Sequence, residues 1–267
     1  MALNRSAVDA LGRRIAKSEV PTQVDLELLA QYRDEFREVA TRVEHVLLDD
    51  LALRGGLFEA CELTVTPRPA KTFSTLIDKL RRPGSNLSSI QDIAGFRIVG
   101  SLDMTLATQD RLSHAIAARF PNVKVDDRRL RPSWGYRAVH VIPAVDGRRV
   151  EIQIRTHLQD TWANAMESFG DLWGRWVRYG LPPEGPPEEI EFRVAVVEDH
   201  MRLSDLWFEN ENAVLRLVEA RSLAAGGDAS ARHRVQELTD AIVPLFRETN
   251  EVIEKITARI EARANMP

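Results

Sequence analysis

Polar and aromatic residues that recur with a two-residue period mark the part of this chain best equipped for chemistry. Two strand-like segments, 136–145 and 148–155, flank the dipeptide Asp146-Gly147, the strongest short signal for a β-hairpin. Because side chains alternate across a strand, one face of this hairpin is apolar and the other is not. The second face carries an aromatic ring, an imidazole, a carboxylate, an amide and a guanidinium, on Tyr136, His140, Glu151, Gln153 and Arg155.

A two-residue turn determines which residues of the two strands lie opposite each other. The predicted pairs are Val145 with Arg148, Ile142 with Glu151, His140 with Gln153, and Ala138 with Arg155. This register places the imidazole of His140 across from an amide and beside a carboxylate, so that several polar groups could act on one ligand.

Each of these side chains has a chemical task if the ligand is a nucleotide. The ring of Tyr136 can stack on a base, and Arg155 can bind phosphate oxygens through two hydrogen bonds. Glu151 can hold Mg²⁺ or take a proton from a sugar hydroxyl. A half-solvated antiparallel sheet is the alternative interpretation, although this face lacks the Lys, Ser and Thr typical of such sheets.

A second carboxylate, Asp92, directly precedes the apolar run 93–99, which is a predicted buried strand. An aspartate at this position could simply cap or turn the chain. Together with Glu151 from a neighbouring strand, it would complete a two-carboxylate Mg²⁺ site, to which substrate phosphates add further ligands.

Positive charge lies on and around the helix predicted over 72–80, with Arg68 just before it and Lys71 and Lys79 near its two ends. A solvated surface is the ordinary explanation of such a run. A clamp for a triphosphate, facing the two carboxylates, is the functional one.

The remaining patterns predict the elements that position these residues. Capping residues begin helices at Thr22, with Asp25, and at Thr156, with Gln159. Gly55-Gly56 is the predicted end of the first of these helices, and the proline-rich segment from Leu181 is a predicted break. Further helices are predicted over 103–120, 188–220 and 231–264, and further strands over 58–66 and 123–125.

The order of these elements predicts an α+β fold with a mixed β-sheet core, flanking helices and a C-terminal pair of long helices. Three parts are expected: an N-terminal helical segment (1–57), the core (58–180) and a C-terminal helical extension (181–267). The apolar stripes of the last two helices must pack on the core or on another subunit, so we expect a homo-oligomer formed through them.

The composition is that of a soluble protein, with 267 residues, a net charge of −4 and one cysteine, Cys61. A single cysteine excludes an internal disulfide and a thiolate zinc site. No apolar run approaches the roughly 20 residues needed to cross a bilayer, and the N-terminus lacks the apolar core of a signal peptide. The prediction is a cytoplasmic protein without a membrane association.

Four strings in this chain resemble the synthetase domain of the RelA/SpoT family: KTFSTLIDKL from 71, QDIAGFRIV from 91, GYRAVH from 135 and VEIQIRT from 150. Their order and spacing together are specific, and the resemblance covers roughly residues 60–180. That family has a nucleotidyltransferase-like core. It makes the alarmones ppGpp and pppGpp by moving pyrophosphate from ATP to the 3′-hydroxyl of GDP or GTP.

The resemblance implies a role for each matching residue. Asp92 and Glu151 would hold Mg²⁺, and Glu151 would also activate the acceptor hydroxyl. The residues implied to bind ATP are Lys71, Lys79, Arg97 and Arg68. Those implied to bind the acceptor nucleotide are Tyr136, His140, Gln153 and Arg155.

Departures from the family pattern leave three functions open. The usual R-x-K element has Pro69 in place of its arginine, with Arg68 one position earlier. The chain is therefore either a (p)ppGpp synthetase, a toxic relative that pyrophosphorylates the 3′ end of tRNA, or a nucleotide-binding homologue without turnover. The tRNA alternative requires a basic surface, for which the candidates are Arg128, Arg129 and Arg131.

Overall fold

A computed structural model of the chain describes residues 3–50, 61–68 and 70–264. The chain divides into two compact units that interleave along the sequence. The sheet unit comprises Met1–Gly100, Arg111–Asp126 and Val139–Ile154, and the helical unit comprises Ser101–Asp110, Asp127–Ala138 and Arg155–Pro267.

The described residues form helices and strands in the order expected of an α+β protein. The helices are α1 (Arg5–Lys17), α2 (Gln23–His45), α3 (Phe73–Leu80), α4 (Leu106–Ala117), α5 (His157–Trp173), α6 (Trp176–Tyr179), α7 (Pro187–Ala225) and α8 (Ala229–Ala264). The strands are β1 (Leu63–Arg68), β2 (Gly95–Gly100), β3 (Val123–Asp127), β4 (Val139–Val145), β5 (Arg148–Arg149) and β6 (Glu151–Arg155).

The strands form one mixed sheet in the order β1-β2-β6-β4-β3, and the short β5 pairs with β4. β1 runs antiparallel to β2, and β4 runs antiparallel to β6. β6 therefore has a neighbour on each side. The residues at its start, Glu151 to Gln153, lie in the interior of the sheet rather than at an edge.

The predicted hairpin register is confirmed where strand pairs are formed, because Val145 lies opposite Arg148 and His140 lies opposite Gln153. The turn residues have positive φ angles, 49° at Asp146 and 73° at Gly147. Two consecutive positive φ values are those of a type I′ turn, whose twist matches that of the flanking strands. The Asp-Gly dipeptide is thus the local cause of this register.

The interpretation of the hairpin as half solvated is wrong. His140, Glu151 and Gln153 are only 1%, 7% and 6% exposed. Polar side chains buried to this extent need hydrogen-bond partners, and those partners define the site described below.

Three helices, α1, α2 and α3, share an apolar cluster in the sheet unit. Thr22 caps α2, as predicted, by accepting a hydrogen bond from the backbone N–H of Asp25. The predicted helix end at Gly55-Gly56, the first residues of the strand expected over 58–66, the boundary expected after residue 57 and the R-x-K position Pro69 all lie outside the described residues. α1 was not predicted as a separate helix; Asn4 caps it by accepting from the N–H of Ala7.

The helical unit is organised around α5 and the two long helices. Thr156 and Gln159 form the predicted capping box at the start of α5. Trp162, Met166 and Trp176 then form an apolar cluster with residues of α7. α7 and α8 pack along each other and confirm the predicted pair of long helices. Among the described residues, no helix combines the length and the apolar character required to cross a membrane.

Candidate active site

The carboxylate of Glu151 is the centre of a buried polar cluster in the sheet unit. Its Oε1 lies 3.1 Å from Nδ1 of His140, the residue on the neighbouring strand β4. Its Oε2 accepts hydrogen bonds from Nε2 of Gln153 at 2.7 Å and from Nη1 of Arg68 at 3.2 Å. The predicted association of His140, Glu151 and Gln153 is thus present, and Arg68 joins them.

These neighbours keep Glu151 ionised. Burial raises the pKa of this carboxyl group, but the hydrogen bond and charge of His140, the charge of Arg68 and the hydrogen bond of Gln153 outweigh burial and lower the pKa to about 2. Glu151 is therefore a carboxylate throughout the physiological pH range, although it is buried.

Gly95 of β2 lies between Arg68 of β1 and Glu151 of β6 in the sheet. In the antiparallel pair of β1 and β2, Arg68 lies opposite Gly95. The backbone of Gly95 packs directly against Glu151 on β6, and the N–H of Glu151 donates to the carbonyl of Ala94 at 3.3 Å. The absence of a side chain at Gly95 therefore lets β2 and β6 approach closely at this point.

Asp92 forms a second cluster, with Lys71, just before α3, and Lys79, in the last turn of α3. Nζ of Lys79 donates to both carboxylate oxygens of Asp92, at 2.8 and 2.6 Å, and Nζ of Lys71 lies 3.1 Å from Oδ2. The backbone N–H of Lys71 also donates to the carbonyl of Ile93 at 3.2 Å, which holds the lysine next to the start of β2. The interpretation of these lysines as a purely solvated charge run is therefore wrong.

The remaining ATP-site candidate, Arg97, lies on β2 opposite Thr66 of β1, with its side chain half buried. It is separated by one residue from Gly95 on one side and from Val99 on the other. Alternation along the strand therefore gives Arg97 the same face as Gly95.

Tyr136 and Arg155, both in the helical unit, contact each other. Nη2 of Arg155 donates to the hydroxyl of Tyr136 at 3.2 Å, and the guanidinium carbon lies 5.1 Å from the centre of the tyrosine ring. Nη1 of Arg155 donates to Oδ1 of Asp160, in the first turn of α5, at 2.8 Å. Asp160 was not identified from the sequence, although an acidic residue four positions after the cap of a helix is a recognisable signal.

Residues 68–169 match the family model of the region found in RelA / SpoT proteins. This part of the chain is a RelA/SpoT region. All the residues of the clusters above, from Arg68 to Asp160, lie within it. The predicted family resemblance is thus confirmed over the segment that carries the candidate site.

The sequence relatives are mycobacterial. Over 181 residues the chain is 41% identical to an uncharacterized protein of Mycobacterium tuberculosis (strain ATCC 25618 / H37Rv), and the match covers 65% of this chain and 62% of that protein. An uncharacterized protein of Mycobacterium bovis (strain ATCC BAA-935 / AF2122/97) matches with the same values. The chain spans less than two thirds of the length of these curated relatives.

Two solved structures are similar to this chain. Small alarmone synthetase 1 from Bacillus subtilis, bound to its product pppGpp, is 24% identical with a TM-score of 0.47, and the match covers 70% of this chain and 96% of that chain. A GTP pyrophosphokinase family protein from Streptococcus pneumoniae is 20% identical with a TM-score of 0.45, and the match covers 71% of this chain and 91% of that chain.

The structure contradicts part of the basic surface predicted from Arg128, Arg129 and Arg131. Arg129 is not part of an exposed basic surface, because its guanidinium forms ion pairs with Asp110 and Asp127 and is only 11% exposed. A guanidinium paired with two carboxylates is a poor phosphate ligand. Of the three arginines considered for tRNA binding, Arg129 is therefore withdrawn.

Proposed function

We propose that the RelA/SpoT region of this chain transfers pyrophosphate from ATP to the 3′-hydroxyl of GDP or GTP, with Mg²⁺ as cofactor. The observation that supports this proposal best is the buried, ionised Glu151, held by His140, Gln153 and Arg68 on an interior strand. A folded protein seldom buries a carboxylate without a functional or electrostatic reason, because desolvation opposes its charge.

The donor chemistry of the site fits Mg²⁺. Asp92 and Glu151 supply carboxylate oxygens, and Mg²⁺ in nucleotide sites is commonly held by one or two carboxylates together with substrate phosphates and water. When bound, the ion neutralises charge on the phosphate oxygens. Among the described residues, no cluster of three or more His, Cys, Asp or Glu side chains is arranged for a metal, so the phosphates would have to contribute ligands.

In this arrangement, binding of ATP would change the ion-pair partners of the lysines and the arginine in the site. Lys71 and Lys79 are paired with Asp92, and Arg68 is paired with Glu151. The polyphosphate of ATP attracts the same cations, so its binding would transfer Lys71, Lys79 and Arg68 from carboxylate to phosphate or adenine. Arg97 would stack on the adenine. Both carboxylates would then be available to the cofactor.

Glu151 acts on the acceptor mainly through orientation and charge. A carboxylate with a pKa of about 2 is a weak base, and efficient general bases have a pKa near the working pH. Departure of Arg68 would remove one of the charges that lower this pKa and would make Glu151 more basic only once ATP is in place. His140 and Gln153 would orient the acceptor, and Tyr136 and Arg155 would contact its base and phosphates.

The decisive experiment is a transfer assay with ATP labelled at its γ-phosphate, in the presence of Mg²⁺. GDP, GTP and deacylated tRNA are offered as separate acceptors. A labelled guanosine tetra- or pentaphosphate, absent with Glu151→Gln, supports the proposal. Label on tRNA would assign the chain to the tRNA-modifying alternative.

A nucleotide-binding homologue without turnover is a second candidate, favoured by the ion pair between Arg68 and Glu151. If this ion pair persists when ATP binds, it occupies the catalytic carboxylate. Calorimetric binding of ATP and GDP without product from any acceptor would support this second function and contradict the first.

We further propose that the chain forms a homo-oligomer through α7 and α8, the helices of the expected C-terminal extension (181–267). Both helices carry large apolar side chains that are exposed in the single chain: Val218 and Leu223 on α7, and Val243 and Ile260 on α8. Light scattering on the purified chain measures the assembly. A monomer at all concentrations would contradict this proposal.

A further inference from the structure

A pocket of about 310 Å³ lies in the helical unit, between α7, α8, the start of α5 and the segment around Leu102. It contains none of the residues proposed above to contact ATP, the acceptor or Mg²⁺. Its wall is mostly apolar, with the side chains of Leu102, Met104, Leu158, Trp207, Phe246 and Ile253 among those that line it. Its volume is at the lower end of the range for small-molecule sites.

Asn210 leaves an unused hydrogen-bond acceptor in this wall. Its side chain is 4% exposed and donates through Nδ2 to Oγ1 of Thr249 at 2.7 Å. The hydroxyl of Thr249 in turn donates to the carbonyl of Leu245 at 2.9 Å, so its oxygen is the acceptor for Asn210. This chain of donors fixes the orientation of the amide. Oδ1 of Asn210 finds no hydrogen-bond partner among the described residues.

Glu211 provides a second unused hydrogen-bond acceptor. It lines the same pocket, and its buried Oε2 also finds no partner within the described part of the chain. Burial raises the pKa of Glu211 to about 7, and the hydrogen bonds of Thr156 and Gln159 to its carboxyl group and the charges of Arg129 and Arg137 only partly oppose this increase. An unpartnered carboxyl oxygen in an apolar wall costs folding free energy that a ligand with a suitable donor can recover.

The charged groups around the pocket indicate which kind of hydrogen-bond donor the ligand would carry. Arg129 is paired with Asp110 and Asp127, and Arg137 is paired with Asp205. Among the described residues that line the pocket, Glu211 and the exposed His157 are the only ionisable ones, and there is no lysine or arginine. From α8 the pocket is lined by uncharged residues, including Thr249 and Asn250. A carboxylate or phosphate ligand would therefore find no lysine or arginine among the described residues that line the pocket.

We propose that this pocket is a binding site for a small organic cation, a primary ammonium group on an apolar body. The ammonium group donates hydrogen bonds to Oδ1 of Asn210 and Oε2 of Glu211. The apolar body contacts the aliphatic wall, and the rings of Trp207 and Phe246 are well suited to an apolar group next to a positive charge. The site is separate from the proposed transferase function and stands if that function fails.

The test uses the full chain and isothermal titration calorimetry at pH 8 with three probes that share one apolar body: n-hexylammonium chloride, 1-hexanol and sodium hexanoate. We expect the ammonium compound to bind at least about tenfold more tightly than the other two, as one charged hydrogen bond provides. Glu211→Gln should remove this preference. Glu209→Gln changes an exposed glutamate two positions away on the same helix and should leave it intact.

A pocket-filling variant keeps the test informative if Glu211→Gln perturbs folding. Ile253→Trp should block binding of the ammonium probe, because Ile253 lines the pocket. Binding of hexylammonium should also strengthen from pH 6 to pH 8 and release a proton, seen as a buffer-dependent heat at pH 6. Equal affinities for the three probes, an unchanged preference in Glu211→Gln, or absence of binding because a second copy covers the pocket in an oligomer would each overturn the proposal.

Discussion

A Cβ atom on Gly95 would lie 2.6 Å from the carbonyl oxygen of Glu151, closer than Cβ atoms approach other heavy atoms in folded proteins. The glycine that follows Asp92 by three residues in the RelA/SpoT region therefore has a physical task. It allows β2 and β6 to approach closely at Glu151, the residue to which Arg68 donates. The string QDIAGFRIV thus contains both Asp92 and the glycine that packs against Glu151.

Gly95→Ala should reduce both stability and transfer. The new methyl group meets backbone rather than a movable side chain, so the two strands must shift, at a cost of about 1–3 kcal/mol. Urea unfolding measures the first effect, and the labelled-ATP assay measures the second. Gly226→Ala, at the exposed end of α7, is the matched control. Equal stability of the two variants would contradict the proposed role of Gly95.

Glu151→Gln should lower transfer by roughly 100-fold or more, because it removes the charge that is to face the cofactor and the acceptor. It should also cost stability, since His140 and Arg68 lose their anionic partner inside the protein. The transfer assay and urea unfolding measure the two effects. Glu38→Gln changes an exposed glutamate on α2 and should alter neither. Full transfer in Glu151→Gln would exclude Glu151 from the mechanism.

Asp92→Asn should separate ATP binding from turnover. It releases Lys71 and Lys79 from their carboxylate, so ATP without Mg²⁺ should bind more tightly than to the unmodified chain. Transfer with Mg²⁺ should nevertheless fall, because one of the two proposed metal ligands is lost. Calorimetry and the transfer assay give the two quantities, with the exposed Asp78→Asn as control. Weaker binding of ATP would show that the lysines depend on Asp92 for their position.

Tyr136→Ala should weaken binding of GDP by about 1–3 kcal/mol if the ring stacks on the base. Tyr136→Phe separates stacking from positioning, because it keeps the ring and removes only the hydroxyl that accepts from Arg155. Calorimetric titration with GDP measures both variants. Tyr179→Ala alters an exposed tyrosine of α6 and provides the control. A full loss of affinity in Tyr136→Phe would assign the effect to the position of Arg155 instead.

Glu211 should make the stability of the chain depend on pH in an unusual direction. Its pKa is raised from 4.5 to about 7 in the folded protein, so the folded state binds the proton more tightly than the unfolded state. The stabilisation is complete below about pH 4.5 and is lost as the pH rises through 7, by an amount on the order of 3 kcal/mol.

Glu211→Gln removes this loss. Its stability relative to the unmodified chain should therefore increase between pH 5 and pH 8, as measured by urea unfolding at each pH. Glu209→Gln, exposed on the same helix, should show no such trend. A difference between the Glu211 variant and the unmodified chain that stays constant with pH would contradict the raised pKa.

Local sequence patterns were enough to predict many of the helices and strands. The Asp146-Gly147 turn specifies the register of its hairpin, because both residues accept positive φ angles. The capping box at Thr156 and the apolar stripes of the two long helices likewise depend on residues close together in the chain. The residue types of the candidate site were recognisable for the same reason, since they occur in short strings.

Only the tertiary structure decided what these site residues contact. The ion pair between Arg68 and Glu151 joins residues 83 positions apart, and the sequence contains no sign that Gly95 lies between their strands. The pairing of Lys79 with Asp92 and the burial of the polar face of the hairpin also depend on which elements become neighbours. Alternation and capping are properties of a few adjacent residues, whereas the order of strands in a sheet is set by the packing of the whole unit. The sequence by itself therefore determined which residue types make up the candidate site, and the fold determined their partners and the ionisation of Glu151.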